Sequence, residues 1–246
     1  MSDAWAIVSG GSRGLGRAFT ERLVKLGYQV LVLYRSDASA AAEVAACFPD
    51  QVLTAQVDIR DGAATSAVIS AQITERGAPD VLVNNAGINI DQPFLTMSAE
   101  QWSAVLDTNL TGTFHLTRAV APAMVSRGRG NIINVGATTG MRPRLNGANY
   151  CASKAGLLQL TKCLALELAP AVRVNALIPG MTETAELIER YALRDPVQRA
   201  AVEAEIPQRR IASTDEIAAA LEFLVAETSS YMTGQRLIID GGQFMW

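Results

Sequence analysis

The chain has 246 residues, 49% of them hydrophobic and 18% charged, with a formal net charge of −3. That length buries a sizeable core without help from disulfides or metal, and the composition excludes a disordered chain. The small negative charge gives no reason to expect nucleic acid or an anionic membrane as partner.

The opening MSDAWAIVSGG lacks the basic head and apolar stretch of a signal peptide and enters a strand at once, Trp5–Ser9. The run Ser9-Gly10-Gly11-Ser12-Arg13-Gly14-Leu15-Gly16 closes that strand and opens a helix, Leu15–Leu26. In this context Gly10 suits a tight turn and Gly14 lets backbone approach a pyrophosphate. Gly16 permits close helix–strand packing, and the helix start offers free N–H groups to an anion. The second strand, Gln29–Tyr34, runs into Arg35-Ser36. An acidic residue there would bond the ribose 2′-hydroxyl of NAD; a cation and a hydroxyl stand there instead. Arg13 can approach the same spot, and two guanidiniums suit a 2′-phosphate, so NADP(H) is the expected cofactor. Asp37, in the loop beyond, is expected to point to water.

Further strands are predicted at Gln51–Val57, Val81–Asn84, Asn131–Val135, Arg173–Ile178 and Arg236–Ile239, and helices at Ala99–Ser126, Asn149–Leu168 and Thr214–Ala226. Several strands are rich in Val, Ile and Leu without alternation, as in a parallel sheet covered on both faces. The strand–helix alternation predicts an α/β fold with right-handed crossovers: one Rossmann-type domain over residues 1–246, a doubly wound sheet of seven parallel strands with helices on both faces. One excursion stands out, Met181 to about Arg210, where a helical pattern is interrupted by Pro196 and Pro207. It follows the C-terminal end of a strand, where open α/β sheets bind ligands, and reads as a substrate lid or as a structural excursion. No run of about 18 apolar residues suggests a membrane span. Cys47, Cys151 and Cys163 form an odd set without CxxC spacing, which fits reduced thiols and a cytoplasmic protein.

The chemistry-bearing residues lie from the fourth strand onward. Asn84-Asn85-Ala86-Gly87 follows the fourth strand, Asn109 sits in Thr108-Asn109-Leu110-Thr111-Gly112, and Tyr150-Cys151-Ala152-Ser153-Lys154 and Pro179-Gly180 come later. With the glycine loop, these residues resemble the short-chain dehydrogenase/reductase family over essentially the whole chain. Ser12-Arg13-Gly14, Ala148-Asn149-Tyr150, the Pro207–Ile211 region and the closing Asp240-Gly241-Gly242-Gln243-Phe244-Met245-Trp246 are most similar to its 3-oxoacyl-acyl-carrier-protein reductases. Tyr150 and Lys154, spaced i, i+4, share one helix face. A free phenol, with a pKa of about 10, is too weak a catalyst near neutrality. A neighbouring ammonium and the nicotinamide's positive charge draw that value down. The resemblance implies that Tyr150 protonates the carbonyl oxygen as hydride arrives from NADPH. It also implies that Lys154 tunes Tyr150 and holds the nicotinamide ribose, and that Asn109 positions a water. It assigns Asp58 and Ile59 to the adenine and Asn85, Ala86 and Gly87 to the nicotinamide-side ribose. Thr182, just past Pro179-Gly180, falls to the carboxamide.

One residue departs from the family pattern. The serine expected after the strand ending at Val135 is Ala137, in Val135-Gly136-Ala137-Thr138-Thr139-Gly140. Losing one hydrogen-bond donor to the substrate oxygen costs about 10²–10³ in rate. Three readings stand open: a serine replaced by alanine to trap a complex, a hydroxyl supplied by Thr138 or Thr139 after a loop shift, or a slow or inactive chain that binds without turnover. The activity implied is NADPH-dependent reduction of a 3-oxoacyl thioester carried on acyl carrier protein. A sugar, quinone or polyketide carbonyl is the alternative substrate, and a non-catalytic NADP(H)-binding sensor or subunit the alternative role. A homotetramer packed through the helices Ala99–Ser126 and Asn149–Leu168 is implied as well, with Met245-Trp246 buried at an interface.

His115, the single histidine, leaves no multi-histidine metal site and is expected to pack its helix. Cys151 is expected in the core. Arg127 and Arg129 are expected as solvated charges, or as contacts for an acidic carrier protein.

Overall fold

Strand β1, Trp5–Ser9, is buried at all five positions because it lies in the middle of the sheet. The structure is a computed structural model and describes residues 4–245. Along the chain follow α1 (Gly14–Lys25), β2 (Gln29–Tyr34), α2 (Ala38–Cys47), β3 (Val52–Gln56), α3 (Gly62–Arg76), β4 (Val81–Asn84) and α4 (Ala99–Leu106). Then come α5 (Gly112–Arg127), β5 (Gly130–Val135), α6 (Ala148–Leu168), β6 (Val172–Pro179), α7 (Ala185–Arg190), α8 (Pro196–Ala204), α9 (Thr214–Val225) and β7 (Arg236–Ile239). The seven strands are all parallel, in the order β3-β2-β1-β4-β5-β6-β7. The order reverses beside β1, so a crevice opens outside the carboxyl ends of β1 and β4, where such sheets bind ligands.

Alternate residues of each strand feed two cores. Ala6, Val8, Val30 and Val32 pack with Phe19 and Leu23 of α1 and Leu221 of α9 on one face. Trp5, Ile7, Leu31 and Leu82 pack with Ile69 of α3 and Leu116, Val120 and Met124 of α5 on the other. Burying one such large aliphatic side chain contributes about 1.5–3 kcal/mol, so both layers hold the central strands in place.

Three local expectations change. The helix expected over Ala99–Ser126 is broken by a π-helical turn, Asp107–Thr111, between α4 and α5. One extra residue in a turn leaves the 3.6-residue pattern of either half intact, so periodicity does not reveal it. Asp37 does not simply face water; its carboxylate accepts the Ala40 N–H at 3.0 Å and caps α2. Pro196 opens α8 rather than interrupting a helix, in the first turn where the missing N–H costs nothing. The Met181–Arg210 excursion has its own apolar centre, with Leu193 and Ile206, and Ile211 just beyond it, buried against Leu187 and Ile188.

Candidate active site

At the nucleotide end, Gly10 (φ +63°) turns the chain off β1 and donates its N–H to the Leu33 carbonyl at 2.7 Å. A Cβ at Gly16 would stand 2.0 Å from the Gly10 carbonyl oxygen and 2.6 Å from Asn85 Nδ2, so no other residue fits there. Asn85 Nδ2 donates to the Ser9 and Gly10 carbonyls at 3.0 and 3.2 Å, and Ser9 Oγ accepts the Asn85 and Ala86 N–H groups, each at 3.0 Å. The turns after β1 and β4 thus form one rigid floor. Above it α1 starts at Gly14 and Leu15 with no side-chain cap from Arg13, its N-cap residue. Uncapped first-turn N–H groups over a glycine floor suit a pyrophosphate. Ser12, in the same loop, is buried.

Toward the adenine side, Tyr34 is half-buried and Arg35 and Ser36 are exposed at the end of β2. Arg13, largely exposed, stands 3.9 Å from the Asp37 carboxylate. Arg60, which the sequence reading passed over, forks Asp58 through Nε at 3.0 and 2.9 Å and so holds its carboxyl below the usual range. Ile59 is buried, and its carbonyl lies 3.2 Å from Nδ1 of His115, which packs α5 as expected.

At the chemical end, Tyr150 and Lys154 share one face of α6, with Nζ 5.7 Å from the phenol ring centroid. Lys154 Nζ donates to the Val135 carbonyl at 2.8 Å. Asn109, buried in the π turn, accepts the Ile88 N–H through Oδ1 at 2.8 Å. Its Nδ2 donates to the Ile88 carbonyl at 2.9 Å and to Ser153 Oγ at 3.0 Å, and Ser153 Oγ donates to the Tyr150 carbonyl at 2.8 Å. A Cβ at Gly87 would lie 3.2 Å from Asn109 Oδ1 and 3.7 Å from Lys154 Nζ, so three widely separated motifs meet at one point.

The model of the short chain dehydrogenases matches residues 4–193. The chain belongs to the short-chain dehydrogenase family. An acetoacetyl-CoA reductase of Allochromatium vinosum is 42% identical over 248 residues, covering 98% of each chain. A 3-oxoacyl-acyl-carrier-protein reductase of Vibrio cholerae is 38% identical over 241 residues, covering 98% of this chain and 97% of the relative. Among solved structures, a gluconate 5-dehydrogenase from Burkholderia cenocepacia in complex with NADP and tartrate superposes with a TM-score of 0.92 at 31% identity, covering 99% of this chain and 96% of that one. This short-chain dehydrogenase is therefore an oxidoreductase.

In the dehydrogenase by itself, burial dominates both titrating groups. It pushes the Tyr150 phenol up to about 12 and the Lys154 ammonium down to about 8. The expected lowering of Tyr150 thus has first to overcome desolvation. Between about 8 and the ordinary lysine value of 10.5 the unfolded chain holds more protons at Lys154, so folding stability rises with pH across that window. Tyr150 acts oppositely above 10, where the unfolded chain loses its proton first. Urea unfolding at pH 8 and pH 10 is expected to show a smaller rise, or a fall, in Lys154→Met compared with wild type; an identical rise would exclude Lys154 as its source.

Ala137 is extended (φ −156°, ψ 152°) and half-buried, and it leads into a short turn, Thr138–Gly140. Thr138 is buried, and Thr139 Oγ1 is buried without a protein partner. On β6, Pro179 pairs with Ile239, Gly180 donates to the Ile239 carbonyl at 2.8 Å, and buried Thr182 donates to the Gly180 carbonyl at 3.1 Å. Cys151 is only half-buried. Arg127 donates to the Ala78 and Pro79 carbonyls, each at 2.8 Å, and Arg129 pairs with Asp80 at 2.7 Å. Asp80 also accepts the Trp5 N–H at 3.1 Å. Both arginines therefore fasten a turn at the start of β1 and β4 rather than standing as purely solvated charges. Met245 is exposed, and Trp246 lies outside the described residues.

Proposed function

We propose that this chain is an NADPH-dependent ketoreductase that converts a 3-oxoacyl thioester, carried on acyl carrier protein or CoA, into the 3-hydroxyacyl thioester. The observation that carries this reading is the meeting of Tyr150, Lys154 and Asn109 beside Gly87 at the carboxyl ends of β4 and β5. When bound, the nicotinamide nucleotide supplies the hydride. Asn85, Ala86 and Gly87, with Lys154, would hold its ribose, and Thr182, Pro179 and Gly180 its carboxamide side. Asp58 and Ile59 would hold the adenine. Tyr150 Oη gives its proton to the carbonyl oxygen, Lys154 stabilises the phenolate left behind, and Asn109 fixes the helix turn that presents both. Ala137 removes one donor to that oxygen and slows the step. The substrate class rests on the two reductases described above. NADPH consumption with acetoacetyl-CoA tests the reading, and absence of turnover with bound NADPH counts against it.

Arg13, Arg35 and Ser36 support a preference for the 2′-phosphate. Removing a charged partner is expected to weaken NADPH binding about 10–100-fold. Arg35→Ala should therefore narrow the gap between NADPH and NADH in a fluorescence titration; an unchanged ratio would remove Arg35 from recognition. A second reading, oxidation of a hydroxy acid, is favoured by Arg144 and Arg190 beside Tyr150. Turnover of gluconate with NADP in preference to acetoacetyl-CoA would select it. The Met181–Arg210 segment is then a lid in either case.

We propose a homo-oligomer, a tetramer by resemblance to the family, packed through the outer faces of α5 and α6. They form an apolar groove of about 310 Å³ lined by Phe114, Ala121, Val125, Leu160, Leu164 and Leu168. An open apolar face of this kind suits a second copy of the same chain. Phe114→Glu is expected to reduce the mass measured by light scattering; an unchanged mass would place the interface elsewhere. The free thiols of Cys47, Cys151 and Cys163 support a cytoplasmic setting.

A further inference from the structure

Two ion pairs from outside α6 flank Tyr150, and the reaction proposed above uses neither. Arg144, in the segment leading into α6, turns its guanidinium back over the phenol, with the central carbon 5.7 Å from the ring centroid. Lys154 Nζ stands at the same 5.7 Å. The Arg144 side chain is only 24% exposed and is held from the loop after β4. Its Nη2 donates to Asn89 Oδ1 at 2.8 Å and pairs with the Asp91 carboxylate, and Asn89 Nδ2 donates to Asp91 Oδ1 at 2.8 Å. The Gln92 N–H donates to the Asn146 carbonyl at 2.8 Å and ties the same two segments together.

We propose that Arg144 is a positioning residue for the reaction: its permanent cation, offset by Asp91, makes the Tyr150 phenol more acidic than burial alone would leave it. This inference rests on the reading of Tyr150 as proton donor. Two physical arguments support it. Lys154, desolvated to about 8, loses its charge as pH rises through the working range, whereas a guanidinium keeps its charge throughout. With alanine at 137, no serine hydroxyl shares the substrate oxygen, so the rate depends more heavily on how acidic Tyr150 is. The other groups facing the phenol are Cys151 on α6 and Glu186 and Arg190 on α7, and that second pair acts with opposite signs. Tyr191 borders Arg144 from the far side. Burial raises the phenol's pKa, and Arg190 and Arg144 lower it; Asp91 pairs with Arg144 behind the ring and offsets its charge.

The two halves of one ion pair then predict shifts of opposite sign. With 3,5-difluorotyrosine incorporated at position 150, whose phenol is more acidic than tyrosine's, fluorine NMR follows this single group through its titration without substrate or nucleotide. Arg144→Met is expected to raise the midpoint by roughly 1 pH unit. Arg144→Lys should stay near the wild-type midpoint, and Asp91→Asn should lower it. Shifts in the same direction for Arg144→Met and Asp91→Asn, or no shift in Arg144→Met, would overturn the proposal and leave Arg144 as a clamp between loops. Loss of carbonyl reduction in Tyr150→Phe is a separate measurement. If that substitution left turnover intact, the proton-donor reading would fall while the fluorine titration still decided what Arg144 does to the phenol.

Discussion

Tyr150→Phe is expected to cut kcat/KM for carbonyl reduction by about 10²–10⁴-fold, the contribution of a positioned general acid, while NADPH still binds. Phenylalanine keeps the ring beside Arg144 and Lys154 and removes only Oη, so the helix and its neighbours stay in place. The loss should fall toward the upper end, because Ala137 offers the substrate oxygen no hydroxyl of its own. NADPH oxidation and NADPH fluorescence, measured on the same preparation, separate chemistry from binding. A rate within a few-fold of wild type would assign the proton to some other group.

Ala137→Ser is expected to act in the opposite direction, raising the rate by about 10²–10³, the value of one donor to a developing oxyanion. The backbone at 137 is extended, so serine enters without strain. The site is half-buried, which leaves the added hydroxyl both dry enough to matter and able to reach a ligand. Equal and substantial rates in both proteins would mean that Thr138 or Thr139 already supplies the donor. Absence of turnover in both, with NADPH bound, would favour the binding-protein reading over the ketoreductase.

The inner strands of the sheet were legible because they are buried on both faces. Val30–Leu33 and Ile132–Ile133 are apolar without alternation, and the strand limits fell within one residue of those observed. The glycine turn was legible because each glycine has a local steric reason. What local pattern could not carry was anything fixed across the chain. Arg144 and Asp91 are 53 positions apart, and nothing near either announces the pair. The π turn at Asn109 is hidden because α4 and α5 each keep their own period. Arg127 and Arg129 look like free charges until the turn ending at Asp80 folds beneath them. Asp37 is different: an Asp directly before Ala38-Ser39-Ala40 is a helix-start signal, and it was readable from sequence.

The strand order also sets a hazard during synthesis. The first strand made is an interior one, third in the seven-strand order, and the chain completes only the β2 and β3 side of it by Gln56. Until Val81–Val83 leave the ribosome, the other edge of Trp5–Ser9 presents unpaired backbone beside Ala6, Ile7 and Val8. A bare apolar edge of that kind is a template for a neighbouring nascent chain. Polysomes translating this message therefore hold several copies of the same sticky intermediate close together, and the interval between residues 56 and 81 is where a chaperone has most to protect.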